Sequence, residues 1–361
     1  MIKEDVNKDI LNLLEKGDFI LGEKVFELES KLAKYVGVKE CITCASGTDA
    51  LLIPLMANDI GVGDAVFTTN FSFFATTEVI SLVGATPVFV DIDKDTYNID
   101  PSLLEKQIIK TIEDENFLPK AIIAVNLFGQ ICEYNKIRKI AKKYGLILIE
   151  DAAQSFGASH NNQKSCSFGD VAATSFYPAK PLGCYGDGGA IFTNNQKLAE
   201  ICRSIRVHGQ GIDKYDNVRI GLNSRLDTFQ AIILLHKLKI FDKELELRNN
   251  IAQYYNNHLD EYVKIPYVRT NHLSAWAQYS IQVLSNRSEI IKILNDANIP
   301  TAVFYDKPFH TLDIYKNVSF GEYKVSDDVS NTILSIPMHP YLSKDNQDII
   351  ISTIKNFYQK K

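Results

Sequence analysis

The feature that most constrains the fold is an alternation of short apolar runs and helical patterns between residues 38 and 193. The apolar runs are rich in β-branched and aromatic residues, which favours strands. They read ECITCA (40–45), AVFTT (65–69), TPVFV (86–90), AIIAV (121–125) and LILIE (146–150). Between them, residues 101–110 and 133–144 repeat apolar side chains at helical spacing. Strands alternating with helices predict an α/β protein whose mostly parallel central sheet is covered on both faces.

The pattern changes after Asn194. Longer helical patterns occupy residues 196–207 and 226–259, and a strand-like pattern follows at 278–284. A chain of 361 residues with 45% hydrophobic content can bury a large core, and its length fits about two domains. We therefore predict a large domain over residues 1–240 and a smaller C-terminal α/β domain over residues 241–361.

Charge and hydropathy argue against nucleic-acid and membrane partners. The formal net charge is −5, and basic and acidic residues are interleaved along the chain, so no basic patch for nucleic acid is predicted. Residues 1–19 lack the apolar core of a signal peptide. The most apolar long stretch, residues 73–90, contains Glu78 and Pro87, which a membrane helix tolerates poorly. A cytoplasmic protein is expected.

Six cysteines lie at positions 41, 44, 132, 166, 184 and 202, and in a reducing compartment they are expected to be free thiols. Cys41 and Cys44 form a C-x-x-C motif, but no second Cys or His pair follows at zinc-ligand spacing. We therefore interpret the pair as strand packing and predict no metal site.

The first candidate for ligand chemistry is the small-residue turn ASGTDA (45–50), between a predicted strand and a helical run. Such a turn presents free backbone N–H groups and the positive end of the helix dipole, which suits a phosphate. The same residue types are favoured helix N-caps. Taken alone, the motif leaves both interpretations open.

The second candidate is the acidic end of the apolar strand in LILIEDAAQ (146–154). Ligands of open α/β sheets bind beyond the carboxyl ends of the strands, so Asp151 lies where chemistry is expected. Its carboxylate could cap a helix, or it could pair with a cofactor's ring nitrogen and keep that nitrogen protonated.

The third candidate is Lys180, which ends the β-rich run SFYPAK (175–180) and precedes the glycine-rich stretch 183–189. A lysine among apolar and glycine residues is costly to bury, and Schiff-base formation is one use for it. A surface lysine in a loop is the alternative. The glycines match neither the G-x-G-x-x-G dinucleotide fingerprint nor the P-loop.

Taken in order, these motifs resemble the DegT/StrS family of nucleotide-sugar aminotransferases, which have pyridoxal-phosphate (PLP) fold type I, like aspartate aminotransferase. The resemblance extends over nearly the whole chain. It is carried by SGTDAL (46–51), GVGDAV (61–66), GATPVFVD (84–91), EDAAQSFGA (150–158), SFYPAKPLG (175–183), GDGGA (186–190) and GLNSRLDTFQA (221–231).

The resemblance implies cofactor roles for eight residues. Lys180 would form the Schiff base with PLP, and Asp151 would pair with the pyridine nitrogen. Gln154 would hydrogen-bond the 3-hydroxyl oxygen, and Phe73 would stack on the ring, with Phe71 and Phe74 in the core. The phosphate would be held by Gly47, Thr48 and Ser175, together with Asn223 from the neighbouring subunit of a homodimer.

The resemblance also points to a substrate side. Tyr305 and His310, in VFYDKPFH (303–310), are similar to the family's aromatic-Pro-His loop, and Arg225, His208 and Arg219 are further candidates. Structural roles are equally compatible with these five residues. The amino donor implied by the family is L-glutamate.

Residues 175–194, 205–211 and 215–230 look most like the branch that acts on UDP-2-acetamido-2-deoxy-3-oxo-glucuronate. We expect amination at C3 of that sugar, for the assembly of polysaccharide or lipopolysaccharide. The alternative within the family is a 3-oxo or 4-oxo-6-deoxyhexose on dTDP or UDP. A PLP-dependent sugar dehydratase or a non-catalytic PLP-binding sensor is more remote. The family's dehydratases carry His where Lys180 stands, and no added DNA-binding module is visible.

Overall fold

The secondary structure follows the predicted alternation of strands and helices. The computed structural model describes residues 2–213, 215–283, 286–318 and 321–359. In those residues the helices are α1 (Lys3–Lys16), α2 (Glu23–Val36), α3 (Gly47–Ala57), α4 (Ala75–Leu82), α5 (Pro101–Asp114), α6 (Tyr134–Tyr144), α7 (Gln196–Arg206), α8 (Thr228–Leu238), α9 (Phe241–Leu259), α10 (Arg287–Asp296), α11 (Lys324–Thr332) and α12 (Lys344–Gln359). The strands are β1 (Glu40–Cys44), β2 (Asp64–Thr69), β3 (Thr86–Val90), β4 (Leu118–Val125), β5 (Ile147–Asp151), β6 (Ser159–His160), β7 (Gln163–Lys164), β8 (Val171–Ser175), β9 (Gly189–Thr193), β10 (His272–Leu273), β11 (Tyr279–Gln282) and β12 (Ile333–Ile336).

The central sheet is mixed but mostly parallel. Over the described residues it has seven strands in the order β1-β9-β8-β5-β4-β2-β3. The pairs from β8 to β3 are parallel, whereas β9 is antiparallel to both of its neighbours. Thus β9 alone in this sheet runs in the reverse direction. The predicted α/β class with a mostly parallel sheet is confirmed.

The sheet is buried on both faces, as predicted. Neighbouring residues of one strand point to opposite faces. Phe67 of β2 and Ile122 of β4 join one hydrophobic core, whereas Val66 and Ile123 join a second core on the other face. All four side chains are fully buried. This double burial explains why the parallel strands read as continuous apolar runs.

Helix ends follow local chemistry. Asp100 caps α5, because its Oδ1 accepts hydrogen bonds from the backbone N–H groups of Ser102 at 2.7 Å and Leu103 at 3.3 Å. Pro101, at the first helical position, has no N–H that would need a partner. Helix α6 is followed at its C-terminus by Gly145, which adopts a left-handed φ of 67°. Glycine accepts this conformation without strain.

A smaller two-stranded sheet, β11 antiparallel to β12, anchors the C-terminal region. Its core contains Tyr279 of β11 and side chains from α9, α10 and α12. The predicted strand 278–284 corresponds to β11, and Leu284 lies outside the described residues. Helix α9 places Phe241 in the first core and Tyr255 in this third one. The domain boundary near residue 240 stays a prediction.

All six cysteines are described, and they are buried free thiols. Cys41 and Cys44 lie in β1, so their interpretation as strand packing is confirmed. In the described ranges, no three His, Cys, Asp or Glu side chains come together in a group that could hold a metal ion. No helix in the same ranges combines the length and the apolarity needed to cross a bilayer.

Candidate active site

Asp151 is the last residue of β5 and lies at the edge of the sheet where the parallel strands have their carboxyl ends. It is 3% exposed. The hydroxyl of Thr76 donates to Oδ2 at 2.8 Å, and the backbone N–H of Ala153 donates to Oδ1 at 3.1 Å. Burial raises the pKa of Asp151, and the hydrogen bond from Thr76 is the largest effect in the opposite direction. The carboxylate is thus held in a fixed orientation.

Lys180 lies in a turn, which corrects the predicted β-rich run 175–180. Strand β8 ends at Ser175, because the Oγ of Ser175 accepts the backbone N–H of Tyr177 at 3.3 Å and Pro178 has no N–H for a ladder. The backbone N–H of Lys180 then donates to the carbonyl of Tyr177 at 2.8 Å, which closes the turn. Lys180 therefore lies beyond the carboxyl end of β8 and not within the strand.

The side chain of Lys180 is partly buried, and its Nζ makes no hydrogen bond or ion pair with any described residue. Burial lowers the pKa of Lys180, and the negative charge of Asp151 works against that shift. An amine that is both desolvated and without a partner is poised to react as a base or a nucleophile.

The loop that carries Lys180 is fixed from several sides. The backbone N–H of Phe176 donates to Gly188 at 2.8 Å, and that of Cys184 donates to Phe176 at 2.7 Å. The Nζ of Lys237 in α8 donates to the carbonyl of Gly183 at 2.6 Å. A Cβ at Gly183 would lie 2.6 Å from the carbonyl oxygen of Pro178, so a larger residue would displace the turn.

The predicted phosphate turn is formed by the N-terminus of α3 and the end of β8. Ser46 caps the helix by accepting the N–H of Asp49 at 3.0 Å. A Cβ at Gly47 would lie 2.6 Å from the Cβ of Ser175, so only glycine permits this close approach. Thr48 follows in the first turn of α3. Free N–H groups, a hydroxyl and the helix dipole thus converge, as an anion such as a phosphate requires.

Gln154 and the aromatic side chains form the remaining wall. The buried Gln154 accepts the N–H of Phe128 at its Oε1, at 2.8 Å, and donates from Nε2 to the hydroxyl of Tyr305 at 3.1 Å. Phe73 is 55% exposed, and its ring centroid lies 6.5 Å from that of Tyr305. Its neighbour Phe71 is fully buried, as expected of a core residue.

These residues fit PLP. The Gly47–Ser175 cradle suits its phosphate, the exposed ring of Phe73 offers a stacking surface, and the unpartnered Nζ of Lys180 suits its aldehyde. Asp151 supplies the acidic group for a basic ring nitrogen. The sequence predicts each of these residues, and the structure brings them to one edge of the sheet.

Other candidates lie between residues 207 and 225, a part of the chain that Ser224 ties to the N-terminus of α3. Asn223 is exposed and pairs with Val207 through an isolated bridge. The exposed His208 has a φ of 62°, and its N–H donates to Leu222 at 2.8 Å. Arg219 donates to the Oγ of Ser204. The structure gives these three side chains no contact with Lys180 or Asp151.

Arg225 is partly buried, and its guanidinium makes no hydrogen bond or ion pair with any described residue. Between Asn223 and Arg225, Ser224 donates to the Oδ2 of Asp49 at 2.6 Å and accepts the N–H of Ala45 at 3.2 Å. This contact ties the 223–225 segment to the N-terminus of α3. The sequence gives Ser224 and Asp49 no role of this kind, because their contact spans 175 residues.

His310 is held in place by neighbouring side chains. Its Nδ1 lies 2.8 Å from the Nδ2 of Asn70, and its Nε2 lies 3.4 Å from Asp327. The backbone N–H of His310 also donates to Asn70, at 3.0 Å. Both ring nitrogens therefore have partners within the chain, in contrast to the Nζ of Lys180.

Comparison with known proteins decides the family. The model of the DegT/DnrJ/EryC1/StrS aminotransferase family matches residues 1–355. This chain belongs to that family. The UDP-2-acetamido-2-deoxy-3-oxo-D-glucuronate aminotransferase of Pseudomonas aeruginosa is 46% identical to it over 356 residues, which is 98% of this chain and 96% of that enzyme. The pleiotropic regulatory protein of Geobacillus stearothermophilus is 38% identical over 364 residues, with 99% and 95% covered.

Solved structures agree with the family assignment. A DegT DnrJ EryC1 StrS aminotransferase from Brucella abortus superposes with a TM-score of 0.97 at 51% identity, and 99% of this chain and 96% of that chain are covered. NtdA from Bacillus subtilis, solved with bound cofactor PMP, gives a TM-score of 0.90 at 28% identity, with 99% and 82% covered. The predictions of family, fold and cofactor are confirmed, and the chain is a PLP-dependent sugar aminotransferase.

Proposed function

We propose that this aminotransferase moves an amino group from L-glutamate to C3 of UDP-2-acetamido-2-deoxy-3-oxo-glucuronate, as a cytoplasmic homodimer. The observation that carries the choice of sugar is the 46% identity with the Pseudomonas aeruginosa enzyme, over 98% of this chain and 96% of that enzyme. The product is an amino sugar on a nucleotide, and such sugars are building blocks for polysaccharide and lipopolysaccharide.

The chemistry needs a base at the carbon that loses and regains a proton. When bound, PLP acts as an electron sink and carries the amino nitrogen from donor to acceptor. The Nζ of Lys180 is the group that can take the proton from the donor's α-carbon and return one to the acceptor. Its pKa is lowered by burial, so the neutral, basic form is populated closer to neutral pH than in a free lysine.

Asp151 has the opposite task, because it must stay charged. Both of its oxygens accept hydrogen bonds, one from Thr76 at 2.8 Å and one from the N–H of Ala153 at 3.1 Å. These donors stabilise the carboxylate against the cost of its burial. An ionised Asp151 at the end of β5 would hold a proton at the ring nitrogen and so make the ring a better electron sink.

Substrate recognition is assigned to the cations beside the cradle. The proposed sugar carries a carboxylate and two phosphates, and guanidinium groups bind such oxyanions in pairs of hydrogen bonds. Arg225 suits this role because it is partly buried and has no anionic partner in the described chain. Arg219, His208, Tyr305 and His310 complete the proposed substrate side.

The similarity to a pleiotropic regulatory protein raises the question of a non-catalytic role. The family match over residues 1–355 and the 46% identity with an aminotransferase favour catalysis. Lys180 is compatible with both roles, because a PLP-binding regulator would also hold the cofactor through an unpaired lysine amine. The response of the bound cofactor to an amino donor therefore separates the two.

The test is a spectrum of the PLP-bound protein, recorded after addition of L-glutamate and then of single keto-sugars. We expect glutamate to bleach the band of the lysine–PLP bond, and UDP-2-acetamido-2-deoxy-3-oxo-glucuronate to restore it with formation of the 3-amino sugar. Restoration by a dTDP- or UDP-linked oxo-6-deoxyhexose, and not by the glucuronate, would reassign the substrate. No response to any amino donor would contradict transamination.

A further inference from the structure

The chain contains a buried hydroxyl next to Asp151 to which neither the sequence motifs nor the family comparison gives a role. Thr76, in the first turn of α4, is 1% exposed and donates from Oγ1 to the Oδ2 of Asp151 at 2.8 Å. The contact joins residues 75 apart in sequence. A threonine in an apolar helix start is ordinarily a packing residue, so the hydrogen bond to Asp151 is what distinguishes this one.

We propose that Thr76 is a positioning residue of the transamination site, whose hydroxyl fixes the orientation of Asp151 toward the PLP ring nitrogen and keeps its carboxylate ionised. The inference rests on the proposed role of Asp151. The hydrogen bond from Thr76 to Asp151 joins two protein side chains and does not involve the cofactor.

The direction of the hydrogen bonds supports this role. A hydroxyl has one proton to donate, and the proton of Thr76 goes to Asp151. The Oγ of Ser72, which is also buried, lies 3.4 Å from the Oγ1 of Thr76, so Ser72 is the donor in that contact. A chain of hydroxyls thus points its protons toward the carboxylate, an arrangement that stabilises its charged form.

The position of Thr76 also couples Asp151 to the exposed aromatic of the site. The backbone N–H of Thr76 donates to the carbonyl of Phe73 at 3.2 Å. One turn of chain therefore carries both the ring proposed to stack on the cofactor and the hydroxyl that donates to Asp151. Movement of this turn would displace both groups together.

A matched control lies one residue further along. Thr77 is also fully buried, and its Oγ1 has no hydrogen-bond partner in the described structure. Replacing either threonine by valine keeps the shape of the side chain and removes only the hydroxyl. The pair Thr76→Val and Thr77→Val therefore separates the hydrogen bond to Asp151 from the general effect of a polar-to-apolar change in α4.

We expect Thr76→Val to lower kcat about 10- to 100-fold, which corresponds to loss of one hydrogen bond to a charged group, while the KM for glutamate changes less than about threefold. PLP should dissociate from this variant with a Kd about tenfold higher, measured by titrating the PLP-free protein. Thr76→Ser should restore both quantities to near the wild-type values, and Thr77→Val should leave them unchanged.

The variant Asp151→Asn distinguishes a failure of the inference about Thr76 from a failure of the proposed role of Asp151. If Thr76 acts through Asp151, Thr76→Val should add little further loss of kcat or PLP affinity in the Asp151→Asn background. Wild-type kcat and Kd in Thr76→Val, or equal losses in Thr76→Val and Thr77→Val, would overturn the inference about Thr76 alone. Wild-type turnover in Asp151→Asn would instead overturn the role of Asp151 within the proposed function.

Discussion

At the scale of single residues, burial shifts the pKa values of Lys180 and Asp151 toward their neutral forms, so charging either group costs the protein stability. Burial disfavours the charge on Lys180, and the described structure provides no ion-pair partner within reach of its Nζ. Burying this unpaired amine therefore lowers the stability of the PLP-free protein and leaves the amine available for reaction.

This cost predicts a pH-dependent gain in stability for Lys180→Met in the PLP-free protein. Because the folded-state pKa of Lys180 is lowered, the unfolded chain binds more protons between that pKa and the unfolded value of about 10.4. The destabilisation is therefore largest below the lowered pKa and disappears as the pH rises to about 10.4. Lys180→Met should raise the melting temperature most at the lower pH, measured by circular dichroism.

Lys136→Met is the control for that experiment, since Lys136 is exposed and its one ion pair among the described residues is with Glu133 on the surface. Its melting temperature should follow the wild type at every pH. A Lys180→Met variant that is less stable than wild type, or whose gain grows with pH, would show that the ammonium stabilises the fold.

The residues of the site differ in how readily sequence reveals them. Asp151 stands out because it ends an apolar strand, and Lys180 stands out because a lysine among apolar and glycine residues is expensive to bury unless it is used. Thr76 and Ser224 give no such signal, since a threonine or serine fits any helix start or loop. Their roles depend on contacts across 75 and 175 residues, which only the folded chain displays.

At the scale of elements, two side chains that follow β2 and β3 hold the C-terminal region: Asn70 holds the segment 303–310, which carries Tyr305, and Asp91 holds the start of α11. Asn70 accepts the N–H of His310 at 3.0 Å. Asp91 accepts the N–H groups of Val325 at 2.8 Å and Ser326 at 2.9 Å, and also the hydroxyl of Ser326. Asp91 thereby caps α11 from another part of the chain.

Removing this cap should loosen α11 and, with it, the segment against which Tyr305 packs. We expect Asp91→Ala to cost about 1–3 kcal/mol of unfolding free energy, because buried N–H groups lose a charged acceptor. Asp95→Ala removes a surface partner of Lys264 at 3.1 Å and should cost under about 1 kcal/mol. Chemical denaturation of both variants tests this, and equal losses would contradict the capping role.

The strands, like the residues of the site, differ in how well the sequence predicts them. Strands β1 to β5 are predicted from the sequence, because burial on both faces gives them continuous apolar runs. The run 175–180 is wrong as a strand, since its composition cannot reveal that the ladder ends at Ser175. The two-residue strands β6, β7 and β10 are too short to produce any periodicity.

At the scale of the whole molecule, the exposed loop that contains Arg219 supports the proposed homodimer. Ile212 is 100% and Ile220 84% exposed, on the same loop as Arg219. Bulky apolar side chains grouped in one loop are typical of surfaces that another chain covers. Neither length nor composition predicts this, and the dimer enters only through the family resemblance.

Shared sites predict that two inactive variants rescue each other. If Asn223 serves the partner's phosphate site, Lys180→Ala and Asn223→Asp chains combine into a dimer with one intact site, because both defects fall in the other site. Co-expression of the two should give about a quarter of the wild-type specific activity, since about half of the dimers are mixed and each has one working site. No activity above that of the separate variants would place Asn223 in its own subunit's site or outside the mechanism.

The most direct test of the central claim, that Lys180 at this sheet edge binds PLP for transamination, is to reduce the PLP-bound protein with borohydride and locate the modified residue by peptide mass spectrometry. Reduction makes the carbon–nitrogen bond between lysine and PLP permanent. We predict a single pyridoxyl modification on Lys180, which disappears when L-glutamate is added before the borohydride. Modification of a different lysine, or one that glutamate leaves unchanged, would contradict the account.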